Sequence, residues 1–375
     1  MAASFLNIYI TQPVLPILMR EFSTDMVTVS LSVSAVILGM ALSNLPFGLL
    51  ADKWPIRPII LAGGLVVTLA GLACAATHTL WVLIAARFVQ GIFIPAATTC
   101  LVAHLSRTLP MERLNVIMGA YVSATVLGGL GGRLLGGWIH PPLHWRYALV
   151  SAAALTFAAT LMALWAIPRS AAPTGLAQSA ATFRTLIRRW DLLRIYICAA
   201  GSLAIFSSVF NYLPFRMAEA PFYFSTEQTT MLYLVYVMGI FMGPMAGRAG
   251  NRYGTGNTMI AGALILGLSL ALVRMPSVTG VVTGLLGICA GFFAIHASAV
   301  GSLNCKLSGG QGRANALYVL FYYVGGWMGI TAAGFAYKQG GWAAVVWMGW
   351  LLLIVPIAAG IGEIIATKTP TKERQ

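Results

Sequence analysis

Apolar runs of roughly 18 to 25 residues recur along this chain, separated by short stretches of glycine, proline and charge. They fall at about 2–19, 29–51, 58–77, 79–103, 115–138, 147–168, 191–215, 229–249, 257–274, 278–303, 314–337 and 342–366. As helix, rising about 1.5 Å per residue, each run reaches across or nearly across a hydrocarbon layer about 30 Å thick. The composition agrees, because 59% hydrophobic and 9% charged residues leave too little charge for a water-facing surface, where globular domains carry roughly 25%. About twelve spans and their loops fill the 375 residues and leave no room for a large soluble domain. The expected fold class is an all-α membrane protein with about twelve transmembrane helices.

The net charge of +14 follows an alternation. If alternate loops face one side, that side holds Lys53, Arg57, Arg107, Arg113, Arg169, Arg184, Arg188, Arg189, Arg194, Arg248, Arg252, Lys306, Arg313, Lys368, Lys372 and Arg374. The other side holds only Arg20, Arg146, Arg216, Arg274 and Lys338. This positive-inside bias, with an even number of spans, predicts that both termini are cytoplasmic. It also explains the charge without nucleic acid, for which the chain has no basic arm or stacking platform. The five cysteines have no CxxC or Cys/His pairing and read as buried thiols. The longest interior polar stretch, 169–190, divides the chain into bundles 1–168 and 191–375 and reads as a cytoplasmic linker with an interfacial basic helix. The first run has about eleven residues before Gln12-Pro13 and no leader, so the first span is expected to be shortened, or the chain starts late.

The loop after the second run reads Gly48-Leu-Leu-Ala-Asp52-Lys53-Trp54-Pro55-Ile56-Arg57, and the loop after the eighth reads Gly247-Arg-Ala-Gly-Asn251-Arg252-Tyr253-Gly254. The first resembles the G-x-x-x-D-[RK]-x-G-[RK]-[RK] signature of the Major Facilitator Superfamily, and the second is a degraded copy at the equivalent place. Arg87-Phe-Val-Gln90-Gly91 is similar to the family's R-x-x-Q-G element. Gly119, Gly128, Gly132, Gly136 and Gly137 are spaced as in the antiporter motif of exporters in this superfamily, with Arg133 where that motif has proline. Tyr9-Ile-Thr-Gln12-Pro13-Val-Leu-Pro16, Phe210-Asn211-Tyr212, Ala290-Gly-Phe-Phe-Ala-Ile-His296 and Tyr322-Tyr323-Val-Gly325 resemble the arabinose-efflux-permease-like, drug:proton antiporter branch. The resemblance covers essentially the whole chain. It implies two pseudo-symmetric six-helix bundles that rock about a central cavity in a bacterial inner membrane. It also implies a conformational switch at Gly48, Asp52, Lys53 and Arg57, with Asn251 and Arg252 as its counterpart. Pro55, Ile56 and Asn251 depart from the pattern and weaken that latch.

Ionisable groups inside spans cost about 2.5 to 3.5 kcal/mol on insertion scales, which makes each a functional candidate. Arg87, with Gln90 beside it, reads either as a substrate or proton contact or as a structural bond to a helix carbonyl. Arg133 reads either as an outer gate or anion contact or as a side chain snorkelling to the outer interface. No Asp or Glu lies deep in a run, and Asp191 and Glu363 read as helix-end residues. That argues against a specialist exporter of cations. His296, beside Phe292 and Phe293, is the deep residue whose ordinary pKa permits proton exchange near neutrality, though a lone histidine on an aromatic helix face is more often a polar packing residue. Asn211, Tyr212, Tyr318, Tyr322 and Tyr323 suit either a cavity for neutral or weakly anionic molecules or interhelical packing.

The expected function is a proton-coupled secondary exporter of a small neutral or weakly anionic organic solute. A solute importer of the same fold and a non-transporting membrane sensor remain open. HExxH, GxSxG, clustered carboxylates and a P-loop are missing from the sequence, so neither an enzyme nor ATP drive is expected. The expected partners are the solute, protons and the lipid bilayer, for a monomer with no cofactor or metal.

Overall fold

The computed structural model describes residues 1–108, 111–167, 182–307 and 311–368, except the side chains of 52, 103, 106–108, 111–122, 367 and 368. All regular elements among them are helical: α1 (Ala2–Tyr9), α2 (Leu15–Glu21), α3 (Met26–Lys53), α4 (Ile56–Ala76), α5 (Leu80–Thr108), α6 (Met111–Ile139), α7 (Arg146–Ala166) and α8 (Phe183–Arg188). They continue with α9 (Trp190–Ala218), α10 (Thr226–Leu232), α11 (Met238–Tyr253), α12 (Thr255–Leu272), α13 (Val278–Cys305), α14 (Gln311–Leu352) and α15 (Ile354–Lys368).

Ten helical stretches among the described residues are long and apolar enough to cross a membrane. The last, Gln311–Ala366, has 56 residues, about 84 Å as one helix, far more than a bilayer core. It breaks at Gly340 and Gly341, where Gly341 takes φ +62°, a conformation that costs a residue without Cβ little. Counting both sides of this break, and the 29 residues of α6, gives the twelve spans expected from the apolar runs.

Local chemistry sets the other boundaries. Pro13 lacks an amide N–H, which weakens the helix where it sits, and the first span, Ala2–Glu21, is interrupted there. A 3-10 turn at Gln12–Val14 separates α1 from α2. Asp25 starts α3 by accepting hydrogen bonds from the backbone N–H of Val27 (2.9 Å) and Thr28 (3.2 Å). Ser225 and Gln228 form a capping box at α10, and Ser277 caps α13. Gly254, at φ +90°, turns the chain between α11 and α12.

The burial pattern is that of a protein whose solvent is lipid. Trp165 is 91% exposed and Leu268 68%, while Arg87, Gln90 and Asn211 are each at 0%. Such polarity must be satisfied inside the protein.

The contacts define two units. One comprises Met1–Gln178 and Asn211–Leu234, and the other Ser179–Phe210 and Val235–Gln375. One boundary therefore falls inside α9, between Phe210 and Asn211. In the first unit α3 packs on α5, α4 on α5 and α7, and α1 on α6. In the second, α12 packs on α13 and α15, and α11 on α13. Small residues let backbones approach: a Cβ at Gly291 would lie 2.5 Å from the carbonyl oxygen of Gly262 across the α12–α13 contact.

Candidate functional site

In the first unit, buried polar side chains gather around the break in the first span. Arg87 on α5 donates from Nε to the Ser32 carbonyl (2.9 Å), from Nη1 to Gln90 Oε1 (2.7 Å) and from Nη2 to the Ile8 carbonyl (2.7 Å). Gln90 in turn donates to the Val67 carbonyl (3.2 Å) and to Asn7 Oδ1 (3.4 Å), and Asn7 donates to Thr156 Oγ1 (2.8 Å). A planar guanidinium suits such a three-way bond, because its donors point in fixed directions. These are bonds of the structural kind, one of the two readings open for Arg87, and they tie α1 and α3 to α5.

Arg133 on α6 occupies a second polar centre. Its Nε donates to Gln12 Oε1 (2.6 Å) and its Nη1 to the Gly129 carbonyl (2.8 Å). The guanidinium carbon lies 3.8 Å from the centre of the Tyr9 ring and 5.4 Å from that of Tyr233, positions that favour a cation. Arg133 is 1% exposed, so it does not snorkel to an interface. Gln12 Nε2 reaches Asn211 Oδ1 (3.4 Å), and Asn211 Nδ2 donates to Ser30 Oγ (3.0 Å). Tyr212 also hydrogen-bonds Ser30 and stacks on Phe215. The structure thus brings Arg133, Asn211 and Tyr212 together around Gln12 and Ser30.

The glycine series of α6 explains how Arg133 reaches this place. Added Cβ atoms at Gly128, Gly132 and Gly136 would overlap the carbonyl oxygens of Ala2, Leu6 and Ile10. Backbone therefore lies directly on backbone along the α1–α6 contact, at a spacing of four residues on both helices. A Cβ at Gly137 would overlap Thr230 Oγ1 of α10. Gly119 lies where side-chain surroundings are outside the described residues.

The loop signatures are less complete. Lys53 is exposed, Gly48 has open space around it, and Arg57 Nη1 donates to the Ile167 carbonyl at 2.5 Å. The Asp52 side chain lies outside the described residues. In the second copy, Asn251 is exposed and exposed Arg252 lies over its neighbour Tyr253, 5.2 Å from the ring centre.

In the second unit, His296 on α13 is hydrogen-bonded through Nδ1 to the Tyr318 hydroxyl of α14 (2.8 Å). It stacks on Phe292 (5.9 Å, 13°), with the Tyr322 ring at 5.1 Å. Phe292 stacks on Phe206 of α9 (4.1 Å, 23°), and Phe206 meets Tyr236 edge-on (5.3 Å).

One buried acid escaped the sequence reading, which placed Glu363 at an ordinary helix end. It is 3% exposed and receives Arg194 Nη2 (2.7 Å), Lys306 Nζ (3.0 Å) and the Ser302 hydroxyl. Helix α15 continues past it to Lys368, and Gly362 leaves the room that the Arg194 guanidinium fills. An acid set among Gly360, Ile361 and Gly362 was the available signal. Nearby, Arg189 pairs with Asp191 (2.7 Å), which favours its charged form, and Arg189 Nη2 donates to the Lys306 carbonyl (3.3 Å).

The Major Facilitator Superfamily profile matches residues 1–240. The inner membrane transport protein YnfM of Escherichia coli (strain K12) is 27% identical over 362 residues, covering 96% of this chain and 87% of that protein. The MFS-type transporter YybF of Bacillus subtilis (strain 168) is 25% identical over 377 residues, covering 99% of this chain and 93% of YybF. Among solved structures, a bacterial homologue of the human lysosomal transporter Spinster, inward-facing and occupied, superposes with a TM-score of 0.77 at 14% identity, covering 100% of this chain and 96% of that one. The chain belongs to the Major Facilitator Superfamily. It is a multi-pass membrane transporter of small molecules, and the apolar runs and loop signatures had pointed to that fold.

Proposed function

We propose that this transporter exports a small neutral or weakly anionic organic solute in exchange for protons, by alternating access, as a monomer in a bacterial inner membrane with both termini cytoplasmic. The observation that carries this reading is the buried chain Arg133–Gln12–Asn211–Ser30. Helix α9 starts in the second unit and enters the first at Asn211, and there it is held by side chains rather than by apolar packing alone. A gate has this property: polar side chains that bond across helices form and break their bonds as a set. Arg133, Asn211 and Tyr212, with Gln12 and Ser30, are assigned to the outer gate. Gly128, Gly132, Gly136 and Gly137 supply the close helix contacts that frame it. Asp52, Lys53 and Arg57, with Asn251 and Arg252, are assigned to the opposite, cytoplasmic switch.

Orientation rests on the sixteen basic residues of one loop set against five of the other. Export rests on the glycine motif of α6. His296 is the deep group proposed to couple protons, with Tyr318 as its hydrogen-bond partner.

The test is a solute screen in sealed vesicles of known orientation, with and without an imposed pH gradient. A solute moving from the cytoplasmic face outward, faster with protons moving inward and slowed in His296→Ala, supports the reading. Gradient-driven entry of solute would make the protein an importer, and ligand binding without flux would make it a receptor.

A further inference from the structure

We propose that the second unit carries a ring-walled binding surface for an uncharged, planar aromatic solute bearing an amide-like group that donates and accepts hydrogen bonds. The proposal rests on the transport reading above and narrows its solute class. Phe293, His296, Tyr322 and Tyr323 are half-buried, and Phe206, Phe292 and Tyr318, in contact with them, are buried.

Three features define the occupant. The rings are already mutually ordered: Phe206, Phe292 and His296 stack in sequence, and Tyr318 stacks on Tyr322 (6.3 Å, 19°). A flat ring therefore meets a preformed face and loses little to side-chain ordering. Next, none of these side chains is an amine or guanidinium, so with His296 neutral the wall offers no counter-charge to an anionic solute, and burying a carboxylate here would be costly. Finally, His296 is itself half-buried and uses Nδ1 on Tyr318, which leaves Nε2 as its other hydrogen-bonding edge. A ring nitrogen turned to hydrocarbon would lose its hydrogen bond, so this edge must meet water or a polar group of the solute. Which nitrogen carries the proton follows the Tyr318 bond, and an amide satisfies either tautomer.

The probes are benzamide, its saturated counterpart cyclohexanecarboxamide and the anion benzoate. Binding of radiolabelled benzamide to the full chain in nanodiscs is measured by equilibrium dialysis, with the others as competitors. Benzamide should bind saturably, and the other two should compete at least tenfold more weakly. His296→Phe, which keeps a ring and removes both nitrogens, should weaken benzamide about tenfold, while Tyr322→Phe, which keeps the ring, should change it less than threefold. Equal competition by the saturated or the anionic probe, unaltered affinity in His296→Phe, or no saturable benzamide binding overturns the proposal. Flux of some other solute alongside failed benzamide binding would sink this inference and leave the transport reading standing. Benzamide binding without any flux would do the reverse.

Discussion

Arg133 on α6 and Gln12 in the broken first span are joined by a 2.6 Å hydrogen bond from Nε to Oε1, and both side chains are 1% exposed. Gln12 also faces Asn211, so one amide serves the arginine of one helix and the asparagine of another. Leucine at position 12 removes both bonds and leaves buried donors and acceptors without that partner, a loss of about 1–3 kcal/mol. In a Gln12→Leu background, a reporter cysteine at Thr230 should react several-fold faster with a membrane-impermeant maleimide applied outside. An unchanged rate would reduce the Arg133–Gln12 bond to packing.

Arg87 makes three hydrogen bonds to neutral acceptors on α1, α3 and α5. Lysine keeps the charge and loses the fork. Arg87→Lys is expected to lower the thermal unfolding temperature of the purified protein whether or not solute is present. A variant of wild-type stability that fails only in solute binding would instead return Arg87 to the transport path.

The stacked backbones of α1 and α6 make a paired test. Gly132→Ala places a methyl group on the Leu6 carbonyl oxygen, while at Gly131 the nearest atom to an added Cβ is Leu6 Cδ1, 3.9 Å away. Overpacking of this kind costs about 1–3 kcal/mol, and an unhindered Gly→Ala change in a helix stabilises slightly. Thermal melts should show Gly132→Ala well below wild type and Gly131→Ala at or above it. Equal melting of the two would contradict the contact.

Glu363 compensates Arg194 and Lys306, each 19% exposed in its side chain. Removing the acid leaves two partly buried cations facing each other, at a cost of up to about 3–5 kcal/mol. Glu363→Gln should melt lower than wild type, and adding Lys306→Met should restore part of the loss. If the double variant is no better than the single one, the carboxylate does not act by balancing charge.

The spans were legible because lipid demands a fixed length of apolar helix, a local property of the chain. Gln12-Pro13 stood out only as limiting the first run to about eleven residues, which suggested a shortened span; that a 3-10 turn sits there inside a span of 20 residues was not legible. The glycine series of α6 was visible by its spacing, but not that Ala2, Leu6 and Ile10 are what it touches. Arg87 and Arg133 stood out as charges within apolar runs. Their fates were hidden because the groups that hold them are distant in sequence: Ile8 lies 79 residues from Arg87 and Gln12 lies 121 from Arg133. The burial and ion pairing of Glu363 near the end of α15 were not legible because its partner Arg194 is 169 residues away. The ring wall needed Phe206 from α9 beside Phe292 from α13, a juxtaposition that only packing supplies.

The gate is tested most directly by fixing it shut. Ser30 and Asn211 are joined by a 3.0 Å hydrogen bond from Nδ2 to Oγ, so cysteines at both positions, in a chain whose exposed Cys305 is replaced by serine, can be bridged by a short thiol-specific cross-linker. Flux of the solute found in the vesicle screen is then followed before bridging, after bridging and after reductive cleavage. Alternating access through this gate predicts flux that stops on bridging and returns on cleavage. Flux that continues unchanged in fully bridged protein would contradict it.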